Sequence, residues 1–402
     1  MKLYIFNPDA DLALADGGDN YIAPAAARLM AGDLALLPVW YAGEGDGVWA
    51  PSAYNDSFLK RMRDSFALDA RLVTYPELPD CADADVVPWG WNLSLRRKLM
   101  QSGFPSGRLP SVEDLCFYRQ CASREHVAGC LEAFRGIPSC RGESVALRDL
   151  PACQEYVEGR ERALLKAPWS GSGKGLCWCT GTFTSSVAGW CAKVLRGQGC
   201  VVASPVYDKV VDFAMEFDKD KEGRVSFIGY SLFHTNDRGA YGGNLLLSDA
   251  QIEEYLTRYV PLETLHRVRE VAKDVLERRF VGYAGCLGMD MMVCRSGEGF
   301  WIHPCVEVNL RMNMGIVAGS LYRRLLAPDA VGYFRIEYHT SPDTLRAYHF
   351  KDETAYPLTW HEGRIMSGYM PLVPVTPSSC YRAYIKVFPD TGYFRCHNGQ
   401  WP

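Results

Sequence analysis

No apolar stretch in this 402-residue chain reaches the roughly 18–20 residues that a membrane-spanning helix needs. A basic bias is missing too. The net charge is −4 and the isoelectric point about 6.1, which excludes broad nucleic-acid binding through a basic face. The opening MKLYIFNPDADLALADGG carries acids where an export signal needs an uninterrupted apolar core, so the cytoplasm is the expected compartment. There is no internal repeat and no low-complexity tract. Cys177 and Cys179 form a lone C-x-C with no second Cys or His pair at zinc-finger spacing, so no structural zinc is expected. Cysteine itself is plentiful. Its odd total of 15, without an export signal, reads as reduced thiols acting as small buried hydrophobes.

What is present suits a globular protein of two or three domains, with 48% hydrophobic and 22% charged residues. From Lys2 to about Leu109, a strand (KLYIF) and a loop (NPDADLALADGGDNY) are followed by alternating helical and strand-like runs. That pattern predicts a small α/β layer. PSGRLPS, residues 105–111, reads as a linker. Residues 112–136 read as helical, ERALLKAP (161–168) and VVASPVY (201–207) as strands, and WSGSGKGL between them as a glycine-rich turn. SDAQ at 248–251 matches a capping box. After Pro261, Leu265, Val268, Val271, Ala272, Val275 and Leu276 form one apolar helical stripe. From about Ser341 the composition predicts short strands and turns.

Residues 285–315, GCLGMDMMVCRSGEGFWIHPCVEVNLRMNMG, carry the chemistry. Asp290 lies in one apolar run. Glu307, Asn309 and Arg311 alternate in the next, so a β-strand would present all three on one face. Carboxylate and amide oxygens suit the hard cation Mg²⁺. An arginine beside them suits a phosphate or acyl phosphate, which it can grip with two N–H groups. The alternative is a polar edge-strand face. Val306, Val308 and Leu310 argue against it, because they pack one side and leave the charged side in need of a ligand.

A lysine on a strand, a small-residue glycine loop, a further strand and then Asp…Glu-x-Asn-x-Arg resemble, in that order, the ATP-grasp superfamily of carboxylate–amine and carboxylate–thiol ligases. The resemblance covers roughly residues 112–325. It implies an N-terminal α/β domain at 1–110 and a two-lobed α+β module at 111–330, with lobes at about 111–205 and 206–330. A β-rich extension would follow at 331–402. It implies ATP with one or two Mg²⁺ ions on Asp290, Glu307 and Asn309, and Arg311 steadying the transferred group. Lys166 would reach the α- and β-phosphates. Ser170, Gly171, Ser172, Gly173, Lys174 and Gly175 would form the loop that closes over them. Val202, Ser204 and Val206 would form the adenine hinge, with Asp208 or Asp212 on the ribose. Two positions depart from the family pattern. Arg124 stands where an early lysine is usual, and Ala203–Ser204–Pro205 where the hinge usually begins with a glutamate.

GSGKG is not a P-loop, because Gly175 follows the lysine and Pro168 stands at the first glycine position. HTNDRGAYGGN offers His234, Arg238, Tyr241 and Asn244 either to substrate or to a surface turn. Asn7, Asp9 and Asp11 follow the first strand, where clefts in α/β sheets open. They read as facing an amine-bearing substrate or as a capped turn; Ala13 and Leu14 break any calcium-loop pattern. Trp89 and Trp91 read as packing, and His303 as structural. The expected activity is ligation: a carboxylate activated as an acyl phosphate and joined to an amine or other nucleophile. The alternatives are a phosphotransferase and a non-catalytic nucleotide-binding regulator. The partners would be small molecules rather than nucleic acid or membrane, with a homodimer by analogy.

Overall fold

The computed structural model describes residues 1–171, 175–236, 239–297 and 299–390. Strands β1 (Lys2–Ile5), β2 (Gly47–Trp49), β3 (Arg71–Val73) and β4 (Asp85–Pro88) form a parallel sheet in the order β3-β2-β1-β4. Strands β5 (Val145–Leu147), β6 (Ala163–Lys166), β7 (Leu176–Cys179) and β8 (Val201–Pro205) form an antiparallel sheet in the order β5-β8-β6-β7.

The third sheet has nine strands. They are β9 (Lys209–Lys219), β10 (Val225–Thr235), β11 (Tyr241–Leu246), β12 (Gly285–Ser296), β13 (Gly299–Asn309), β14 (Ala330–Tyr338), β15 (Thr359–His361), β16 (Arg364–Pro371) and β17 (Tyr381–Pro389). Their order is β13-β12-β9-β10-β11-β14-β17-β16-β15, so the β-rich C-terminal segment continues the sheet that holds the Asp290 and Glu307 strands.

The two-residue period of a strand sorts the large sheet into two faces. On β9, Phe213, Met215 and Phe217 enter a core beneath the helices Asp249–Leu256 and Leu262–Arg279, while Asp212, Ala214 and Glu216 point the other way. That second face packs against the helix Met314–Leu325 and the N-terminal layer. Val317 and Leu321 join Leu37, Trp40, Phe334 and Ile385 in one core there. The expected stripe is present: Leu265, Val268, Ala272, Val275 and Leu276 are buried, each worth about 1–3 kcal/mol over exposure. Ser248 and Gln251 form the expected capping box.

Three local expectations need correction. The segment after β1 is not all loop. Ala10–Asp16 is a seven-residue helix of strong helix formers, closed by Gly17 at φ 78°, a left-handed cap that glycine takes without strain. Residues 112–136 are not one helix. The chain breaks after Cys121, where Arg124 N–H donates to the Pro168 carbonyl at 3.0 Å instead of continuing the helical ladder. The C-terminal segment opens with a helix, Pro342–Ala355. Ser341 accepts from Thr344 N–H at its start, and Pro342 sits at the first helical position, where a missing N–H costs nothing.

Candidate active site

Asp290 on β12 stands directly opposite Glu307 on β13. Like charges at a cross-strand pair repel. Burial, and then Glu307, push the Asp290 carboxyl up to about 7. Asn309 Nδ2 donates to Asp290 Oδ2 at 3.1 Å. β13 ends at Asn309, so Arg311 lies in the turn beyond the strand and not on it. Its side chain still returns to the same face, and Arg311 Nη2 donates to Asn309 Oδ1 at 2.8 Å. Two facing carboxylates, part-buried and mutually repulsive, with the Asn309 amide linking Asp290 to Arg311, could hold a hard divalent cation. Among the described residues, no three His, Cys, Asp or Glu side chains cluster as a metal cage.

Each arginine of the site already holds a carboxylate. Arg311 Nε and Nη2 donate to Asp11 Oδ1 and Oδ2, both at 2.8 Å, while Nη1 donates to the Met312 carbonyl at 3.1 Å. Burial disfavours the Arg311 charge, but Asp11 and then Glu307 and Asp290 hold its pKa well above the ordinary value. The two-pronged grip expected for substrate is thus taken by the protein's own Asp11. Arg124, which is 6% exposed, lies 2.8 Å from Glu307 Oε1 and also donates to the carbonyls of Ala167 and Ser170 and to Ser170 Oγ. The break at residue 122 thereby serves the site, because it delivers this guanidinium to the glycine loop.

Lys166 ends β6 and is buried. Burial, followed by Arg124, lowers its pKa to about 8. His303 on β13 is pushed down to about 3 by burial and then by Lys166, and is therefore neutral. Its Nδ1 has no hydrogen-bond partner among the described residues. This histidine lies near Lys166, with Tyr207 at 5.5 Å between ring centres. Val202 pairs with Lys166 across β8 and β6. Val202 and Ser204 are buried, and Val206 N–H reaches the Arg162 carbonyl at 3.5 Å. Of the glycine loop, Ser170 is held by Arg124, Gly171 lies against Asp11, and the Gly175 carbonyl accepts from Ala167 N–H at 2.8 Å; Ser172, Gly173 and Lys174 lie outside the described residues. Trp169 supports the loop: Arg119 stacks 4.0 Å from its ring centre, and its Nε1 donates to the Arg119 carbonyl at 2.7 Å. A cleft of about 320 Å³, counting its open mouth, runs between Asp11, Trp169, Ser170, Glu307, Asn309 and Arg311.

Asp212 accepts from Lys209 Nζ at 2.5 Å and from Thr235 Oγ1 at 2.6 Å, on the same sheet face as Asp290. Asp208 offers its carbonyl to Arg295 N–H at 2.8 Å. Asn244 is 1% exposed and is held between Tyr241 Oη at 2.5 Å and Ser231 Oγ at 2.7 Å, an interior network and not an open substrate contact. His234 is exposed at a bulge of β10, and Arg238 lies outside the described residues. Asn7 ties the ends of β1 and β4 together through both the N–H and the carbonyl of Gly90. Asp9 precedes the short helix and offers its carbonyl to Ala13 N–H. Trp89 is buried against Phe6, as packing requires.

Sequence reasoning missed Glu216. This buried carboxylate on β9 accepts from Asn313 Nδ2 at 2.6 Å, and Asn313 caps the helix Met314–Leu325 through Ile316 N–H. Burial pushes it up to about 8, against the Asn313 hydrogen bond. A Cβ at either Gly288 or Gly315 would collide with it. The signal was available in DFAMEF, where Asp212 and Glu216 take the face opposite Phe213, Met215 and Phe217.

No protein-family model matches the chain, and no curated protein matches it in sequence. Solved structures do. The biotin carboxylase–β,γ-ATP complex from Campylobacter jejuni superposes at a TM-score of 0.51 with 14% identity, covering 96% of this chain and 87% of that one. N5-carboxyaminoimidazole synthetase from Staphylococcus aureus with ADP gives 0.47 and 9%, covering 97% and 93%. The corresponding ribonucleotide synthetase from Thermus thermophilus gives 0.47 and 15%, covering 96% and 93%. The chain has an ATP-grasp fold.

Proposed function

We propose that this ATP-grasp-fold protein is an ATP- and Mg²⁺-dependent ligase that activates a carboxylate and joins it to an amine. The observation that carries the reading is the facing pair Asp290 and Glu307, with Lys166, Arg124 and Arg311 converging on it. Mg²⁺ held by Asp290, Glu307 and Asn309 would supply charge neutralisation for the phosphates. Lys166, with a pKa near 8, takes up a proton readily when an anionic phosphate approaches. Arg124 is fixed to both ends of the loop start and so links Glu307 to the backbone that would face phosphate. In the reaction, a substrate carboxylate oxygen attacks the terminal phosphorus and ADP leaves. The amine nitrogen then attacks the acyl carbon, phosphate departs, and the amine gives up its proton. His303, Val202, Ser204 and Val206 would line the base pocket, with Asp208 or Asp212 near the ribose.

Glu307→Gln should abolish ATP turnover with the fold retained by circular dichroism, because it removes one carboxylate of the pair. Full turnover in that variant would overturn the metal assignment. One observation favours a second reading, a nucleotide-binding regulator: the Arg311 fork is already filled by Asp11. Phosphate release across pools of carboxylic acids and amines, with mass spectrometry of the products, separates the readings. A condensed product that needs both partners supports the ligase, and a stable phosphoester a phosphotransferase. Mg²⁺–ATP binding without turnover supports the regulator.

A further inference from the structure

A continuous chain of hydrogen bonds runs from the N-terminal layer to the carboxylate pair. Asp11 accepts twice from Arg311, Arg311 Nη2 donates to Asn309 Oδ1, and Asn309 Nδ2 donates to Asp290 Oδ2. Asp11 and Arg311 are 300 residues apart in sequence, and their side chains are only 21% and 17% exposed. An amide can point either way. With Arg311 as donor, only the oxygen of Asn309 can face the arginine, so its nitrogen must face Asp290.

Asp11 is not a loosely placed counter-ion that a substrate would displace. Its helix is fixed at both ends. At its start, Ala10 fills the space a Cβ on Gly90 would need, 2.7 Å away, and the Arg311 stem lies on the same glycine. At its end, the Leu14 carbonyl accepts from Arg119 Nε at 2.6 Å. The turn that carries Arg311 is pinned to the same layer, because Met312 N–H donates to the Trp89 carbonyl at 2.9 Å. Asp11 also reaches the phosphate loop, since a Cβ on Gly171 would fall 2.7 Å from Asp11 Oδ2.

We infer that Asp11 is a positioning residue for the divalent-cation site, acting through Arg311 to fix the orientation of the Asn309 amide and thereby of Asp290. The inference rests on the metal assignment of the proposed function. It gives the N-terminal layer a defined role at a site whose ligands lie some 280 residues further along the chain. It also gives Arg311 a different duty from gripping substrate. Two of its three nitrogens face Asp11, so the residue organises the cation ligands and offers substrate its charge more than its fork.

Partners that orient metal ligands typically change affinity about 10- to 100-fold when removed. The test is Mn²⁺ binding, followed by electron paramagnetic resonance on the full chain with and without a non-hydrolysable ATP analogue. The proteins compared are wild type, Asp11→Asn, Arg311→Lys, the double variant and Glu307→Gln. Asp11→Asn should weaken Mn²⁺ about tenfold with its melting curve close to wild type. Arg311→Lys keeps the charge but loses the two-sided fork, and should weaken it at least as much. The double variant should be no weaker than Arg311→Lys alone, because Asp11 acts only through that arginine; a general loosening of the layer contact would add instead. Wild-type affinity in Asp11→Asn, or additive losses in the double variant, would overturn the inference while leaving the metal assignment in place. Wild-type affinity in Glu307→Gln, or no Mn²⁺ bound by the wild type, would overturn both.

Discussion

Two clusters of charge border the same nine-stranded sheet, and they are built on different plans. Between β14, β17 and the helix Pro342–Ala355, charges alternate in sign. Arg382 donates to Glu337 at 2.7 and 3.0 Å, and Lys386 holds Asp352 at 2.8 Å. Arg382 Nη1 lies 2.8 Å from Asp352 Oδ2 but out of hydrogen-bond alignment, so that contact is an ion pair alone. Burial pushes Glu337 up, but the Tyr384 hydroxyl and Arg382 together bring it below its ordinary value. In the cleft the pairing is incomplete: Arg124 meets Glu307 and Arg311 meets Asp11, but Asp290 faces Glu307 across the strands and Lys166 neighbours Arg124. There both Asp290 and Lys166 shift toward their neutral forms. The same residue types therefore pair throughout in one place and leave Asp290 and Lys166 beside like charge in the other. Groups held away from their charged forms by burial and by their neighbours mark a place prepared for a ligand. Ion pairs that satisfy one another mark structure.

The contrast predicts effects of opposite sign. Arg382→Leu should destabilise the protein most, by about 3–5 kcal/mol in urea unfolding, because it removes the guanidinium that pairs with both part-buried Glu337 and buried Asp352. A loss under 1 kcal/mol would break the comparison on the distal side. Lys166→Met should do the reverse and raise stability at pH 7 by up to about 3 kcal/mol, while abolishing nucleotide binding. The sign follows from the depressed pKa. Charging Lys166 costs more folded than unfolded, so the penalty is complete below about 8 and fades as pH rises to the ordinary 10.5. The gain should therefore vanish above that pH, and an equal gain at pH 7 and 11 would point to simple packing instead. The smallest effect tests how Asp352 is presented. Ser341→Ala removes the cap of its helix and should cost about 1 kcal/mol, with no change in metal or nucleotide binding.

Much of this was legible in the chain. Alternation around Glu307, Asn309 and Arg311, the SDAQ capping box and the stripe after Pro261 are short-range patterns. A strand or helix enforces them within a few residues, and the structure carries out the capping box, the buried stripe and the strand as far as Asn309, with Arg311 in the turn beyond. The helix Pro342–Ala355 was misread as strand and turn, because the surrounding tyrosines and prolines masked the cap at Ser341 and Pro342. Glu216 was half legible, since its face could be read from DFAMEF but not its burial beneath Asn313.

Local pattern in the chain therefore carried the stripe after Pro261, the SDAQ cap and the order of parts that resembles an ATP-grasp module, with Asp290, Glu307 and Asn309 as its expected cation ligands. Only the tertiary structure decided which charge meets which. It gave Arg311 to Asp11 rather than to an incoming anion, Arg124 to Glu307, and Lys166 a buried place beside His303. The reason is physical. Propensity and periodicity act over one or two turns of chain, whereas an ion pair depends only on distance and solvent access in space, and both are fixed by how the three sheets pack.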